Sequence, residues 1–345
     1  MMMRGLHFMN KYLNDLMTIS CPVCLGTDFI SLGNKSRGGL ALNSVICHDC
    51  SLIFLNPKPS AEHYALLYSS GDYRRFLNTV KGRKVPEQIN NYLSDEKFHK
   101  RREYGRAIAK KYFKNILKNG DLYFDFGCDS GGVMAGVRQE TGCRIMGNEP
   151  SSACADIVKE KLGITVLSCL MEDIGEHDRA LYRGKVKLAS LVHVLEHVND
   201  PVACLDVAYK MLADEGYLYV EGFDIIKRME QKKESVSCVA TIDHQCYFHK
   251  EVYLHMLRSC GFEPLEFNYS DSNPRIMQVL ASKNPGRLRR EYDVAAIVEK
   301  VMQLNKEGRG CHYGLPSLFK NNLGRIIHKS RRLSRKAMSI MERHV

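Results

Sequence analysis

Between Leu122 and Pro150 an apolar run, Leu122-Tyr-Phe-Asp-Phe126, breaks into a glycine-rich turn, Gly127-Cys-Asp-Ser-Gly-Gly132, and a second apolar run ends at Glu149. Apolar residues giving way to glycines and then to helical spacing predict strand, tight loop and helix, with backbone N–H groups at the helix start facing a ligand. Glu149 lies 22 residues after Gly127. An acid at that distance caps the second strand of a nucleotide-binding βαβ unit and accepts from ribose hydroxyls, so the stretch predicts a ligand carrying adenosine. The dinucleotide pattern G-x-G-x-x-G fails because Asp129 stands at its second glycine, which disfavours a dehydrogenase.

Apolar runs at 121–126, 143–148, 164–169, 187–193 and 216–222 are separated by helix-length segments. This alternation predicts an α/β domain with a parallel sheet and right-handed crossovers. Phe262 to Tyr269 and Arg275 to Ser282, joined by a turn of Asp, Ser, Asn and Pro, predict a closing hairpin. Ligands of open α/β sheets lie beyond the carboxyl ends of the strands, where Asp125, the 127–132 loop, Glu149, Met171, Glu172 and His193 fall.

Asp125 with Gly127, Cys128 and Gly131 forms D-x-G-C-x-x-G, which resembles the first motif of class I methyltransferases that use S-adenosylmethionine (SAM). Leu191-Val-His193-Val-Leu-Glu196-His197, Leu212-Ala-Asp-Glu-Gly216-Tyr-Leu-Tyr-Val-Glu221 and His244-Gln-Cys-Tyr-Phe248 follow in the order of that family, so the resemblance covers roughly residues 100 to 282. It implies a Rossmann-like sheet, parallel with an antiparallel last strand, over 120–283. It also implies a cofactor site of Asp125, Gly127, Cys128, Asp129, Gly131, Glu149, Pro150, Met171, Glu172 and His193. Gly127 and Gly131 would let the backbone approach the methionine and ribose portions, Glu149 would accept from the ribose, and Met171 and Glu172 would enclose adenine. Asp129 and Lys187 depart from the family pattern. A carboxylate 4 Å from the carboxylate of SAM would cost up to about 4 kcal/mol at an effective dielectric near 20, so Asp129 is expected to face the amino group instead. An acceptor hydroxyl needs a base, for which His193 and His244 are the candidates; His197, a helical turn beyond His193, reads as a packing partner.

Cys21-Pro-Val-Cys24 and Cys47-His-Asp-Cys50 are two C-x-x-C knuckles with 22 residues between them. This arrangement places four thiolates on one structural Zn2+ and predicts a zinc ribbon over 18–60; a redox pair or unrelated buried thiols are the alternatives. Four thiolates leave no open position, so the zinc is not expected to touch the chemistry. The ribbon and the following Leu52 to Pro59 and Tyr68 to Arg75 resemble a bacterial group of zinc-ribbon methyltransferases that includes sugar C-methyltransferases. Here Leu25 and Ser51 replace the glycine that usually follows each knuckle, and the chain is short for the extra C-terminal domain of full sugar C-methyltransferases.

Residues 61–119 read as a charged helical lid, with Lys97 to Lys114 rich in Lys and Arg; Tyr73 and Arg74 are candidates to reach into the site. No apolar run approaches the ~18 residues of a membrane span and no signal-peptide core is evident, which predicts a cytoplasmic protein with thiols or metal ligands among its 13 cysteines. The first ~16 residues are expected to be disordered or an amphipathic helix. From Asn284 onward 14 Lys and Arg stand against 5 Asp and Glu, a net +9 of the chain's +11. This 284–345 extension ends in apolar residues at helical spacing, predicting a basic amphipathic helix that docks on its own domain or a dimer mate or touches an anionic membrane surface. The leading expectation is methyl transfer from SAM to a small-molecule or glycan acceptor, such as a sugar hydroxyl in polysaccharide biosynthesis. Nucleic acid is the less favoured partner; the alternatives are an RNA or protein methyltransferase using ribbon and tail, or a non-catalytic SAM-fold scaffold.

Overall fold

Side chains along β4 (Leu122–Phe126) alternate between two cores. Tyr123 packs with α3 (Asp95–Ile108) and α4 (Gly132–Thr141), while Leu122, Phe124 and Phe126 pack with the opposite layer. The computed structural model describes residues 2–80, 94–284 and 292–309. Its main sheet adds β5 (Arg144–Asn148), β6 (Val186–Val192), β7 (Leu212–Phe223), β9 (Phe262–Ser270) and β10 (Asn273–Lys283), in the order β5-β4-β6-β7-β10-β9. The first four strands are parallel, and β10 runs antiparallel to both neighbours, as expected. This is a Rossmann-like α/β fold.

The strand expected over 164–169 is reduced to a parallel bridge between Asn148 and Leu167. Beyond Leu167 the chain leaves the ladder: the Cys169 carbonyl accepts from the Asn148 side-chain amide at 3.0 Å, and Leu170 and Met171 turn into a cavity at the sheet's carboxyl edge. Helix α5 (Ser152–Leu162) precedes this segment and α6 (Glu176–Tyr182) follows it; α7 (Pro201–Met211) leads into β7, its N-cap Asp200 accepting from Ala203 N–H at 2.9 Å.

A second sheet, β1-β2-β3-β8, pairs the hairpin of β1 (Phe29–Gly33) and β2 (Ser44–Cys47) with β3 (Ile53–Leu55) and β8 (Cys246–Tyr247). It is buried on both faces. Val45, Cys47 and Phe54 share a core with the main sheet and α10 (Lys250–Ser259). Leu32, Ile46, Ile53 and Leu55 face α1 (Ala61–Ser69), α2 (Asp72–Val80), α8 (Ile225–Lys232), α9 (Val236–Val239) and α11 (Val294–Glu307). The N-terminus is ordered as a 3₁₀ helix, Met2–Tyr12, with Met9 and Tyr12 buried in that layer and the Tyr12 hydroxyl donating to Asp72 at 2.9 Å. The basic amphipathic helix expected at the extreme C-terminus lies outside the described residues. Among those described, no helix is long and apolar enough to cross a membrane.

Glycines set the depth at which α3 meets α4. A Cβ at Gly136 would stand 2.1 Å from the Arg102 carbonyl oxygen, and one at Gly105 2.3 Å from that of Val133. Gly136→Ala should therefore destabilise the protein by about 1–3 kcal/mol through overpacking against backbone. Gly175→Ala, where no atom lies within 4 Å of the added carbon, should stay within about 0.5 kcal/mol. Urea unfolding of the two variants measures the difference; equal midpoints would show that the helices separate freely.

Candidate active site and metal centre

At the carboxyl edge of β4, β5 and β6 lies a cavity of about 330 Å³. Gly127, Asp129, Glu149, Pro150, Met171, Glu172 and His193, all named from the sequence, line it, and Asn148, not named there, lines it too. Asp125, Cys128, Gly131 and His244 are not among its lining residues. Asp125 is buried under the loop and accepts from the Ser190 hydroxyl; burial pushes its carboxyl up to about 6, against the opposing effect of that hydrogen bond. Gly127 has φ +63, and a Cβ there would meet Val194 at 2.8 Å, so the turn requires glycine on both counts.

Asp129 also adopts a left-handed conformation, φ 50, which Asp tolerates better than most residues. Its carboxylate meets Lys97 Nζ from α3 at 3.1 Å and the Cys154 thiol at 3.4 Å. The second-glycine position thus carries a carboxylate already paired with a cation. Glu149 is buried; its two oxygens accept from the backbone N–H groups of Asp129 and Ser151, each at 2.9 Å. It holds the glycine loop to the helix that follows. Glu172 accepts from Asn199 N–H at 2.7 Å through Oε1, and its buried Oε2 has no hydrogen-bond partner among the described residues.

The opposite lining is aromatic and basic: Tyr64, Tyr68 and Tyr73, Lys97 and Arg101, and His193 with His197. Tyr73 was anticipated from the sequence, whereas the Arg74 side chain lies outside the described residues. Tyr64, Tyr68, Arg101 and His197 were not anticipated. Lys97 and Arg101 stand four apart on α3, a spacing that puts them on one helix face and was available in the basic run. Nothing local marks the tyrosines. His197 is more than a packing partner: its Nδ1 lies 2.8 Å from the Asp243 carbonyl and 3.1 Å from the Tyr68 hydroxyl, and the ring borders the cavity.

His193 is held in a left-handed conformation, φ 59, with its N–H donating to the Glu221 carbonyl at 3.1 Å. Its Nδ1 lies 3.1 Å from Glu196 Oε1, while Nε2 is 3.9 Å from Glu221 Oε2, beyond hydrogen-bond reach. Burial alone would lower its pKa, but the Glu196 hydrogen bond and the charges of Glu196 and Glu221 more than offset it and raise the pKa above the usual 6.5. Glu196 is driven the other way: despite burial, His193 holds its carboxyl down at about 2. His244 stacks edge-on against His197, with ring centroids 4.6 Å apart. Burial, aided by His197, pushes its pKa down to about 4, so it is neutral at pH 7. Glu221 sits beneath, fully buried, accepting from the hydroxyls of Tyr104 and Tyr219 and from the Gln278 amide.

Cys21, Cys24, Cys47 and Cys50 gather their sulfurs within 4.8 Å of one another. The closest pairs, Cys21 with Cys50 and Cys24 with Cys47, are 3.5 Å apart and unbonded, and each joins different knuckles. A tetrahedron with Zn–S near 2.3 Å has edges of about 3.8 Å, so the set fits Zn2+ better than a redox pair within one knuckle. Leu25 and Ser51 adopt φ 62 and φ 58, the conformation for which glycine is usual after each knuckle. Ser51 uses its side chain: the hydroxyl is 3.0 Å from His249 Nε2 at the N-cap of α10, tying the knuckle to the main domain.

Residues 98–266 match the family model described as a methyltransferase domain. No curated protein matches the sequence. Among solved structures, a SAM-dependent methyltransferase of Thermotoga maritima, titled a possible histamine N-methyltransferase, is 19% identical over 57% of this chain and 96% of its own, with a TM-score of 0.42. The 1,6-didemethyltoxoflavin-N1-methyltransferase of Burkholderia thailandensis is 12% identical over 68% and 97%, with a TM-score of 0.45. The geranyl diphosphate C-methyltransferase of Streptomyces coelicolor A3(2) is 17% identical over 51% and 75%, with a TM-score of 0.41.

For the cysteine centre, elemental analysis of the reduced protein should find one thiolate-bound zinc per chain. Cys50→Ser should lose it together with part of the stability of the second sheet, because metal-binding free energy becomes folding free energy. Folded, reduced protein whose four thiols titrate freely would refute the assignment.

Proposed function

We propose that this chain is a SAM-dependent methyltransferase whose acceptor is a small hydroxylated molecule of the sugar class. The observation that carries the reading is one cavity joining the glycine loop and Glu149, within the segment matching the methyltransferase family, to a wall of three tyrosines and His193. The residues fit the cofactor. Gly127 allows a turn that a side chain would drive into Val194, Glu149 brings a carboxylate to the cavity for ribose hydroxyls, and Met171 and Glu172 line it where adenine would lie. Lys97 removes the objection that Asp129 raises, by neutralising its charge beside the bound amino acid moiety.

When bound, SAM supplies a sulfonium methyl group open to displacement. The chain's own task is alignment and removal of the acceptor proton. With Nδ1–H donated to Glu196, His193 carries its lone pair on Nε2 and can take that proton, and the ionised Glu196 then stabilises the imidazolium. Tyr64, in the cavity wall with Tyr68 and Tyr73, would help to orient the acceptor. The sugar reading rests further on the resemblance of the ribbon and of Leu52 to Pro59 to zinc-ribbon methyltransferases of that kind.

Calorimetry should find SAM binding, weakened by about 1–3 kcal/mol in Glu149→Ala through lost charge-assisted hydrogen bonds. Folded wild type with no measurable affinity for SAM would return the chain to the scaffold reading. His193→Ala should lower turnover of the identified acceptor about 10²-fold or more while the SAM dissociation constant stays nearly unchanged. Full turnover in that variant would remove His193 from the base role.

A further inference from the structure

Behind the cavity wall, Glu196 and His197 of the loop after β6 meet His244 of the segment between α9 and β8. One ring nitrogen of each histidine and one Glu196 oxygen lie within 4.8 Å of one another. Glu196 is 4% exposed and Asp243 beside it 2%. Glu196 spends Oε1 on His193, but its Oε2 meets no hydrogen-bond donor among the described residues, and neither does Asp243 Oδ1. Two buried carboxylates with an orphan oxygen each are costly unless a cation meets them.

Two imidazoles and a carboxylate suit Zn2+ and its first-row neighbours, and they leave coordination positions open. Supporting contacts of the kind that orient metal ligands are in place. The Asp243 carbonyl takes His197 Nδ1–H at 2.8 Å, which leaves Nε2 with the lone pair, and Asp243 Oδ2 lies 3.5 Å from His244 Nε2. Ligands about 2.1 Å from one ion stand about 3.4 Å apart at tetrahedral angles, so closure asks the side chains to draw together by up to about 1.4 Å.

We propose that Glu196, His197 and His244 bind a divalent first-row transition-metal ion, separate from the thiolate centre, with its open positions toward the cavity that His197 lines. A water or an acceptor oxygen would complete the coordination. Metal binding here does not depend on the methyl-transfer reading and is tested without it.

The full chain, with its cysteine centre filled by zinc, is titrated with Co2+ alone and with Mn2+ alone. One further equivalent of Co2+ should bind with weak visible bands and no thiolate charge-transfer band, and Mn2+ should lose its free-ion paramagnetic resonance signal. His197→Gln and His244→Gln should each weaken this binding at least tenfold while retaining the thiolate zinc. His244→Asp, which keeps a ligand at that position, should retain Co2+ with a shifted spectrum. The proposal is overturned if wild type takes up no second equivalent of either ion, if both glutamine variants keep it, or if the His244→Asp spectrum is that of wild type; in the last two cases the ion sits elsewhere.

Discussion

Irregular backbone buried at the carboxyl edge of the sheet must find partners for its carbonyls, and the loop after β6 finds them in two distant segments. The Glu196 carbonyl accepts from the N–H groups of Gln245, at 2.7 Å, and Cys246; the His197 carbonyl accepts from the Gln245 side chain at 2.8 Å; the Asn199 carbonyl accepts from Lys58 Nζ at 3.1 Å. Lys58 is buried, and its ammonium is shared with Gln245 Oε1 at 2.7 Å. Because Lys58 follows β3 and Gln245 precedes β8, satisfying this loop aligns the pairing of those strands. The cysteine-bearing sheet is thereby fused to the main one, and Tyr64 and Tyr68 of α1 are brought to the cavity.

A second dependence runs through the meeting of α3 and α4. Gly105, Gly132 and Gly136 let the two backbones touch, and only at that depth do Lys97 and Arg101 reach the cavity while Tyr104 reaches Glu221. One helix therefore neutralises Asp129 in the glycine loop and also helps solvate the buried Glu221, whose charge acts on His193. The glycine loop and the proposed base share a support.

The site's electrostatics are those of fixed, buried partners. Glu196 remains ionised because His193 is at hydrogen-bond distance, and His193 keeps a raised pKa because two carboxylates face it. His244, desolvated and beside the His197 imidazole, is driven neutral. His193 and His244 thus take different states from their surroundings, as environment rather than residue type sets acid and base roles.

The sequence by itself determined the strands that build the sheet, the antiparallel closing hairpin, the glycine turn, Glu149, the edge position of His193 and the four cysteines. Each is a local signal: an apolar period, a turn residue or a fixed spacing. Tertiary structure alone decided what those signals meet. The segment at 164–169 had a strand's composition, but only Leu167 bridges to the sheet, and beyond it the Cys169 carbonyl meets the Asn148 side chain instead of a ladder partner. The pairing of Asp129 with Lys97 spans 32 residues and that of Lys58 with Gln245 spans 187, and no periodicity records such distances. The partners of His197 and His244 were likewise invisible, because the loop that joins them is shaped by carbonyls that must be satisfied, and backbone carbonyls are the same in every sequence.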